Sequence, residues 1–137
     1  MRYLHTMIRV GDLDRSVSFY RAGLGFNELR RADYPADKFT LVFMQAPGDA
    51  DTDDGPMLEL TYNYGVDSYA PGDGYGHIAL QVDSMDQLAK TLHRSGHEFS
   101  WGPGVSPNGS KKMAFLTDPD GYKIELLEYL AAGDTPG

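Results

Sequence analysis

Apolar and polar residues alternate along several short runs of the chain, and two of these runs give way to a helical period. The runs "YLHTMIRV", "MLELTYNY" and "GHIALQVD" alternate as strands with one buried face do. The residues after the first run follow helical spacing, and Asp12 can cap them. After the third run, Ser84 and Gln87 fit a capping-box pattern and Gly96 ends the helix. These changes of period predict an α+β fold with two helices.

The same order of elements occurs twice along the chain. Three strand-like runs follow the first helix, "FNELRRA", "KFTLVFMQ" and "MLELTYNY". The second helix is followed by a weaker extended stretch, "HEFSWG", and then by "KKMAFLTD" and "GYKIELLEYL". We therefore predict two βαβββ modules, residues 1–65 and 74–130, within one domain of residues 1–130. Residues 49–55 and 102–112 are predicted to be loops, and residues 131–137 a flexible tail.

Aligning the two repeats pairs four residues that can bind a metal. His5 lies five residues before Val10, and His77 lies five residues before Val82. Glu59 and Glu125 occupy one position in the last strand of each repeat, within "LEL" and "IEL". Strand alternation places all four on the face opposite the more apolar row of their strand. Two histidines and two glutamates thus recur as equivalent pairs.

The repetition is what favours a metal site over an ordinary polar surface. A single histidine in a strand is more often a half-exposed residue than a ligand, and Glu59 alone fits the wet face of an antiparallel sheet. Glu125 shares its face with Leu127 and Tyr129, and a carboxylate among apolar side chains needs a charged partner or a metal. The chain has no cysteine, so imidazole and carboxylate are the available donors, and both suit a divalent ion.

Composition and charge exclude several classes of partner. The 137 residues carry a formal net charge of -8, which disfavours binding to nucleic acid or to an anionic membrane surface. The N-terminal run "MRYLHTMIRV" is too short and too interrupted for a signal peptide, and no segment approaches the ~20 apolar residues of a membrane span. The expected location is the cytoplasm.

Four motifs, "LHTMIRVGDLDRSVSFY", "LELTYNYGVDSY", "YGHIAL" and "DPDGYKIELLE", resemble the glyoxalase I (lactoylglutathione lyase) family of the vicinal-oxygen-chelate superfamily. The similarity covers about residues 2–128. It implies sheets that curl into a cup around a divalent metal, in a homodimer whose sites combine the first module of one chain with the second module of the other. The implied reaction converts the hemithioacetal of methylglyoxal and glutathione into S-lactoylglutathione through an enediolate.

The resemblance also implies roles for individual residues. The metal ligands would be His5, Glu59, His77 and Glu125, with Glu125 as the first choice for the catalytic base and Glu59 in support. Arg9 and Asn63 match positions that contact glutathione. The short form of the chain resembles enzymes activated by Ni²⁺ or Co²⁺ more than by Zn²⁺.

One departure concerns the thiol substrate. Asp73 stands near the place where animal relatives carry an arginine, and we predict that Lys111 or Lys112 supplies the missing positive charge.

Other functions are known on the same scaffold. Extradiol dioxygenases and fosfomycin-modifying enzymes use two histidines and one glutamate, and methylmalonyl-CoA epimerase places an amide where Glu59 stands. Antibiotic-sequestering proteins with this fold bind without a metal and need none of the four ligands. The full ligand set and the sequence "ELTYN" favour the glyoxalase I interpretation.

Overall fold

A computed structural model describes residues 1–50 and 55–130 of the chain. Within this part lie eight strands, two α-helices, one π-helical turn and one 3₁₀ turn. In the first half these are β1 (His5–Arg9), α1 (Leu13–Ser18), the π-helical turn (Phe19–Gly23), β2 (Asn27–Tyr34), β3 (Phe39–Gln45), the 3₁₀ turn (Pro47–Asp49) and β4 (Met57–Asn63). In the second half they are β5 (His77–Gln81), α2 (Met85–Arg94), β6 (Trp101–Val105), β7 (Lys111–Thr117) and β8 (Lys123–Tyr129).

The first module is a four-stranded sheet with the order β1-β4-β3-β2. The strands β1 and β4 run parallel, and the other two pairings are antiparallel. Asp12 caps α1 by accepting a hydrogen bond from the backbone N–H of Arg15, as the sequence predicts. The α-helix ends at Ser18 and the chain continues as a π-helical turn, so the single helix predicted here is divided. The buried side chains of this helical segment and of the sheet form a core that includes Val10, Val17, Tyr20, Val42, Met44 and Leu60.

The second module repeats this topology with the order β5-β8-β7-β6. The strands β5 and β8 are parallel, and β8, β7 and β6 pair in antiparallel fashion. Ser84 caps α2 by accepting from the backbone N–H of Gln87, which confirms the predicted N-terminus. The Glu128 carboxylate also accepts a hydrogen bond from the backbone N–H of Met85, so the apolar face of β8 lies beside the start of this helix. The core here includes Met85, Leu92, Ala114, Leu116, Ile124 and Leu126.

The position of β6 corrects a prediction. The extended stretch was expected at residues 97–102 and a loop at residues 102–112, but the strand is Trp101–Val105 and β7 already begins at Lys111. The pairing of β6 with β7 shifts register between Trp101 and Gly104. Gly102 has a φ of 86°, and a Cβ at that position would lie 2.8 Å from the carbonyl oxygen of Met113. A glycine-rich run is typical of a loop, whereas in the structure this run forms an irregular edge strand that lies close to β7.

Gly11 is required where the chain leaves β1. A Cβ on this residue would lie 2.1 Å from the carbonyl oxygen of Asp67, which belongs to the segment after β4. Both groups are backbone, so neither can move aside cheaply. The absence of a side chain therefore lets the segment after β4 pass over the end of β1, the strand that carries His5.

The chain divides into two compact units between Ala70 and Pro71. Most of the predicted acidic loop, residues 51–54, and the predicted tail, residues 131–137, lie outside the described residues. No helix in the described part of the chain is long and apolar enough to cross a membrane. The cytoplasmic location stays a prediction.

Candidate metal centre

The sheet of the first module carries both of its predicted metal ligands, His5 and Glu59, on one face. Strand pairing aligns His5 with Met57, and Met7 with Glu59, so odd-numbered residues of β1 and β4 share a face. The even-numbered residues Ile8, Leu58 and Leu60 are buried on the other face. The predicted separation of an apolar row from a ligand row is thus confirmed for these two strands. Leu4, which was expected in the apolar row, precedes the strand and is exposed.

His5 and Glu59 meet on that face. The Nε2 atom of His5 lies 3.2 Å from Oε1 of Glu59, and the glutamate side chain is only 14% exposed. The pair comes together because β1 and β4 are parallel neighbours and the two residues are offset by two positions in the register. A half-buried carboxylate beside an imidazole nitrogen provides two potential metal-donor groups at one place.

The second module contains an equivalent pair. His77 Nε2 lies 3.6 Å from Oε1 of Glu125, whose side chain is 17% exposed. Ala79 pairs with Glu125 in the parallel register of β5 and β8, as Met7 pairs with Glu59 in the first module. The equivalence deduced from spacing therefore extends to the geometry of the two pairs.

Two phenylalanines support the histidines, and our reading of the sequence did not identify them. Phe43 on β3 packs edge-on against the ring of His5, with centroids 5.3 Å apart, and Phe115 on β7 does the same to His77 at 5.7 Å. Each phenylalanine lies directly opposite the glutamate of its module in the strand register. The signal was present in the sequence, since "VFM" and "AFL" occur at equivalent places in the two repeats. These contacts restrict the orientation of each imidazole.

The surroundings of the two glutamates differ. Oε2 of Glu59 accepts a hydrogen bond of 2.8 Å from the hydroxyl of Thr61, which is 8% exposed and lies two residues along the same strand. In the second module that position is occupied by Leu127, which is equally buried and has no hydrogen-bonding group. The two pairs are therefore equivalent in backbone position and unequal in their polar contacts.

Three of the predicted substrate-binding residues lie on the same face of their sheet as the predicted metal ligands of that module. Arg9 and Asn63 lie on the faces of His5 and Glu59, and Asn63 donates to the hydroxyl of Tyr69 at 3.0 Å. Lys111 lies opposite Tyr129 and shares the face of Glu125.

The neighbouring lysine is different. Lys112 pairs with Glu128 on the opposite face, where Glu128 caps the helix α2. The strand register therefore separates two lysines that are adjacent in sequence.

Tyr75 fixes the segment that leads into β5 and His77. Its hydroxyl donates a hydrogen bond of 2.8 Å to the carbonyl oxygen of Lys123, which is opposite His77 in the strand register. Burial, with the nearby charge of Asp118 as a smaller cause, raises the pKa of Tyr75 to about 12. The phenol therefore remains a neutral donor over the physiological pH range.

The donor atoms suit a divalent metal. Each pair offers an imidazole nitrogen and carboxylate oxygens, which are the ligands that Ni²⁺, Co²⁺ and Zn²⁺ accept. Within the described residues no group of three or more histidine, aspartate or glutamate side chains is placed to hold a metal, so neither pair is joined by a third such ligand. The residues that could hold a metal are His5 and Glu59 in the first module, and His77 and Glu125 in the second.

A βαβββ topology occurs twice in the chain, with a His–Glu pair on the same strands each time. The sequence profile of the "Glyoxalase/Bleomycin resistance protein/Dioxygenase superfamily" matches residues 2–126. The chain belongs to this superfamily.

Individual relatives are similar to this chain over nearly its whole length. Lactoylglutathione lyase of Salmonella typhimurium is 45% identical over 133 residues, which cover 97% of this chain and 96% of the relative. The enzyme of the same name from Haemophilus influenzae is 46% identical over 128 residues, which cover 93% of each chain.

Solved structures agree with these relatives. Glyoxalase I from Zea mays superposes with a TM-score of 0.83 at 39% identity over 94% of this chain, and this chain spans only 47% of the maize protein. The trypanothione-dependent glyoxalase I of Leishmania major has a TM-score of 0.78 at 46% identity, covering 93% of this chain and 86% of that one. The predicted fold, two βαβββ modules of the glyoxalase type, is confirmed.

Proposed function

We propose that the protein is a metal-dependent lyase that isomerises the hemithioacetal of methylglyoxal and glutathione to S-lactoylglutathione. The observation that carries the proposal is the pair of equivalent His–Glu sites, 3.2 Å and 3.6 Å between donor atoms, on the same strands of the two modules. Full-length relatives named lactoylglutathione lyase, about 45% identical to this chain, support the same reaction.

The proposed chemistry needs one proton moved between neighbouring carbons of the substrate. A divalent ion held by the four ligands would supply Lewis acidity that stabilises negative charge on the substrate oxygens. Glu125 takes the proton from the carbon that carries sulfur and returns it to the adjacent carbon, while the hydroxyl proton passes from the oxygen of the first carbon to the oxygen of the second, so the reaction is an isomerisation with no net gain or loss of atoms. His5 and His77 remain in place, held by their phenylalanine neighbours.

We further propose that the working enzyme is a cytoplasmic homodimer. Each site would combine the His5–Glu59 pair of one chain with the His77–Glu125 pair of its partner, and Ni²⁺ or Co²⁺ would activate it better than Zn²⁺. Support comes from the absence, within the described residues, of any group of three or more histidine or acidic side chains placed to hold a metal, since one His–Glu pair alone does not fill the coordination shell of these ions. A symmetric dimer would complete both sites at once.

The first test is reconstitution of metal-free protein with Ni²⁺, Co²⁺ or Zn²⁺ in parallel. We expect thioester formation from methylglyoxal and glutathione with Ni²⁺ and Co²⁺, little with Zn²⁺ and none without metal, measured as the rise in thioester absorbance. Trypanothione in place of glutathione tests the thiol that the Leishmania major protein uses. Tight metal binding without thioester formation from either thiol would contradict the proposed reaction.

The two lysines give a matched test of thiol recognition. We expect Lys111→Met to raise KM for the hemithioacetal about tenfold with little change in kcat, because a charge-assisted hydrogen bond contributes roughly 1.5–3 kcal/mol. Lys112→Met should leave KM within about twofold of wild type, since its side chain lies on the face of α2. Steady-state kinetics measures both. An unchanged KM in the Lys111 variant would remove this residue from the substrate site.

A further inference from the structure

The two glutamates of the proposed metal site are not restrained equally. Both oxygens of the Glu59 carboxylate have a neighbour, because Oε1 lies beside His5 Nε2 and Oε2 accepts from the Thr61 hydroxyl at 2.8 Å. Thr61 is 8% exposed, so little water competes for this hydrogen bond. The carboxylate plane of Glu59 is consequently fixed at two points.

Glu125 lacks the second of these contacts. Among the described residues, the polar group beside its carboxylate is the Nε2 atom of His77, at 3.6 Å. Leu127 stands where Thr61 stands in the first module, on the same face and two residues further along the strand. An apolar side chain there offers no donor, and Glu125 keeps more freedom to rotate away from its histidine.

We infer that Thr61 is a positioning residue that holds Glu59 as a fixed metal ligand, while Leu127 leaves Glu125 free to move and accept the proton. The inference deepens the proposed function and rests on it for the identity of the metal ligands. Glu59 and Glu125 are equivalent in the repeat but have unequal roles. The residue two positions further along each strand determines which role each glutamate has. Hydrogen bonds from outer residues commonly orient metal ligands in this way.

The decisive substitutions exchange the hydroxyl between the modules. Thr61→Val removes the donor and keeps the shape, and Thr61→Ser keeps the donor. Leu127→Thr introduces a donor beside Glu125, and Leu127→Val is its matched control because valine and threonine have nearly the same shape. Unfolding curves of all four metal-free variants establish that each has folded.

The first readout is metal affinity, which needs no substrate. Titration of the metal-free protein with Ni²⁺ should show about tenfold to a hundredfold weaker binding for Thr61→Val, the range typical of lost outer contacts. Thr61→Ser should bind within about threefold of wild type. Equal affinity of the valine variant and wild type would overturn the inference, and so would an equal loss in the serine variant, which would indicate packing as the cause. A wild-type protein that binds no divalent ion would overturn it as well.

The second readout is steady-state kinetics of the Leu127 variants, which distinguishes an effect on kcat from an effect on KM. Leu127→Thr should lower kcat about tenfold or more relative to Leu127→Val, with KM and Ni²⁺ affinity retained, because a restrained Glu125 moves less readily to the substrate proton. Identical kcat values for this matched pair would overturn the assignment of the mobile base. Protein that follows the expected order of metal affinities and yet forms no thioester would contradict the proposed reaction while supporting the role of Thr61.

Discussion

Glu125→Gln should lower kcat for thioester formation by roughly 10²–10⁴, the contribution typical of a positioned general base. Glutamine retains the size of the side chain and an oxygen donor for the metal, but it cannot accept the proton from the substrate. Our proposal also predicts that Glu59→Gln has the smaller effect on kcat, because Glu59 is restrained by Thr61. The measurement is steady-state kinetics on protein with a verified metal content.

Two controls distinguish loss of the catalytic base from other causes of a lower kcat. Glu98→Gln changes an exposed glutamate that pairs with His93 at the surface, and it should leave kcat unchanged. Metal analysis of the Glu125 variant shows whether the ion is retained. If this variant holds a stoichiometric ion and still turns over within tenfold of wild type, another group removes the proton.

A mixed dimer of a His5→Ala chain and a His77→Ala chain should recover about half of the wild-type activity, although each variant alone should be nearly inactive. If sites combine the first module of one chain with the second module of its partner, one of the two sites in the mixed dimer contains both substitutions and the other contains neither. The mixed dimer can be purified from co-expressed chains that carry different affinity tags, and its activity compared with the wild-type dimer.

A second mixed dimer provides the reverse control. It pairs a wild-type chain with a chain that carries both His5→Ala and His77→Ala. Sites shared between chains predict that this dimer is nearly inactive, because each site then contains one substitution. Sites built within a single chain predict the opposite results, with activity here and none in the first mixed dimer. The comparison therefore decides the arrangement even if the absolute activities are lowered by tagging.

Local sequence was sufficient to predict where the two helices begin, but it did not predict every feature of them. The caps at Asp12 and Ser84 and the change from alternating to helical spacing are local signals, and both helices begin where these signals place them. The change of helix type in the first helix was not predicted, since the α-helix stops at Ser18 and a π-helical turn follows. That difference arises where Phe19 and Tyr20 are buried against the module, which spacing alone does not reveal.

For the strands too, some features could be predicted from local sequence and others depended on strand pairing. The strand that includes Trp101 was predicted too early, because glycine and proline lower β propensity and only pairing with β7 makes this run a strand. The assignment of Lys111 and Lys112 to opposite faces also depended on the register of β7 with β8. A shift of one residue would exchange the two faces.

Period and spacing are properties of the chain alone, and they predicted the repeat, the order of elements in each module and the equivalence of His5 with His77 and of Glu59 with Glu125. The contact of each histidine with its glutamate could be seen only in the folded chain, since it requires two strands distant in sequence to pair in parallel with the observed register. Only the tertiary structure showed Thr61 hydrogen-bonded to Glu59 and Leu127 in the matching place, because a side-chain contact depends on packing that no spacing specifies.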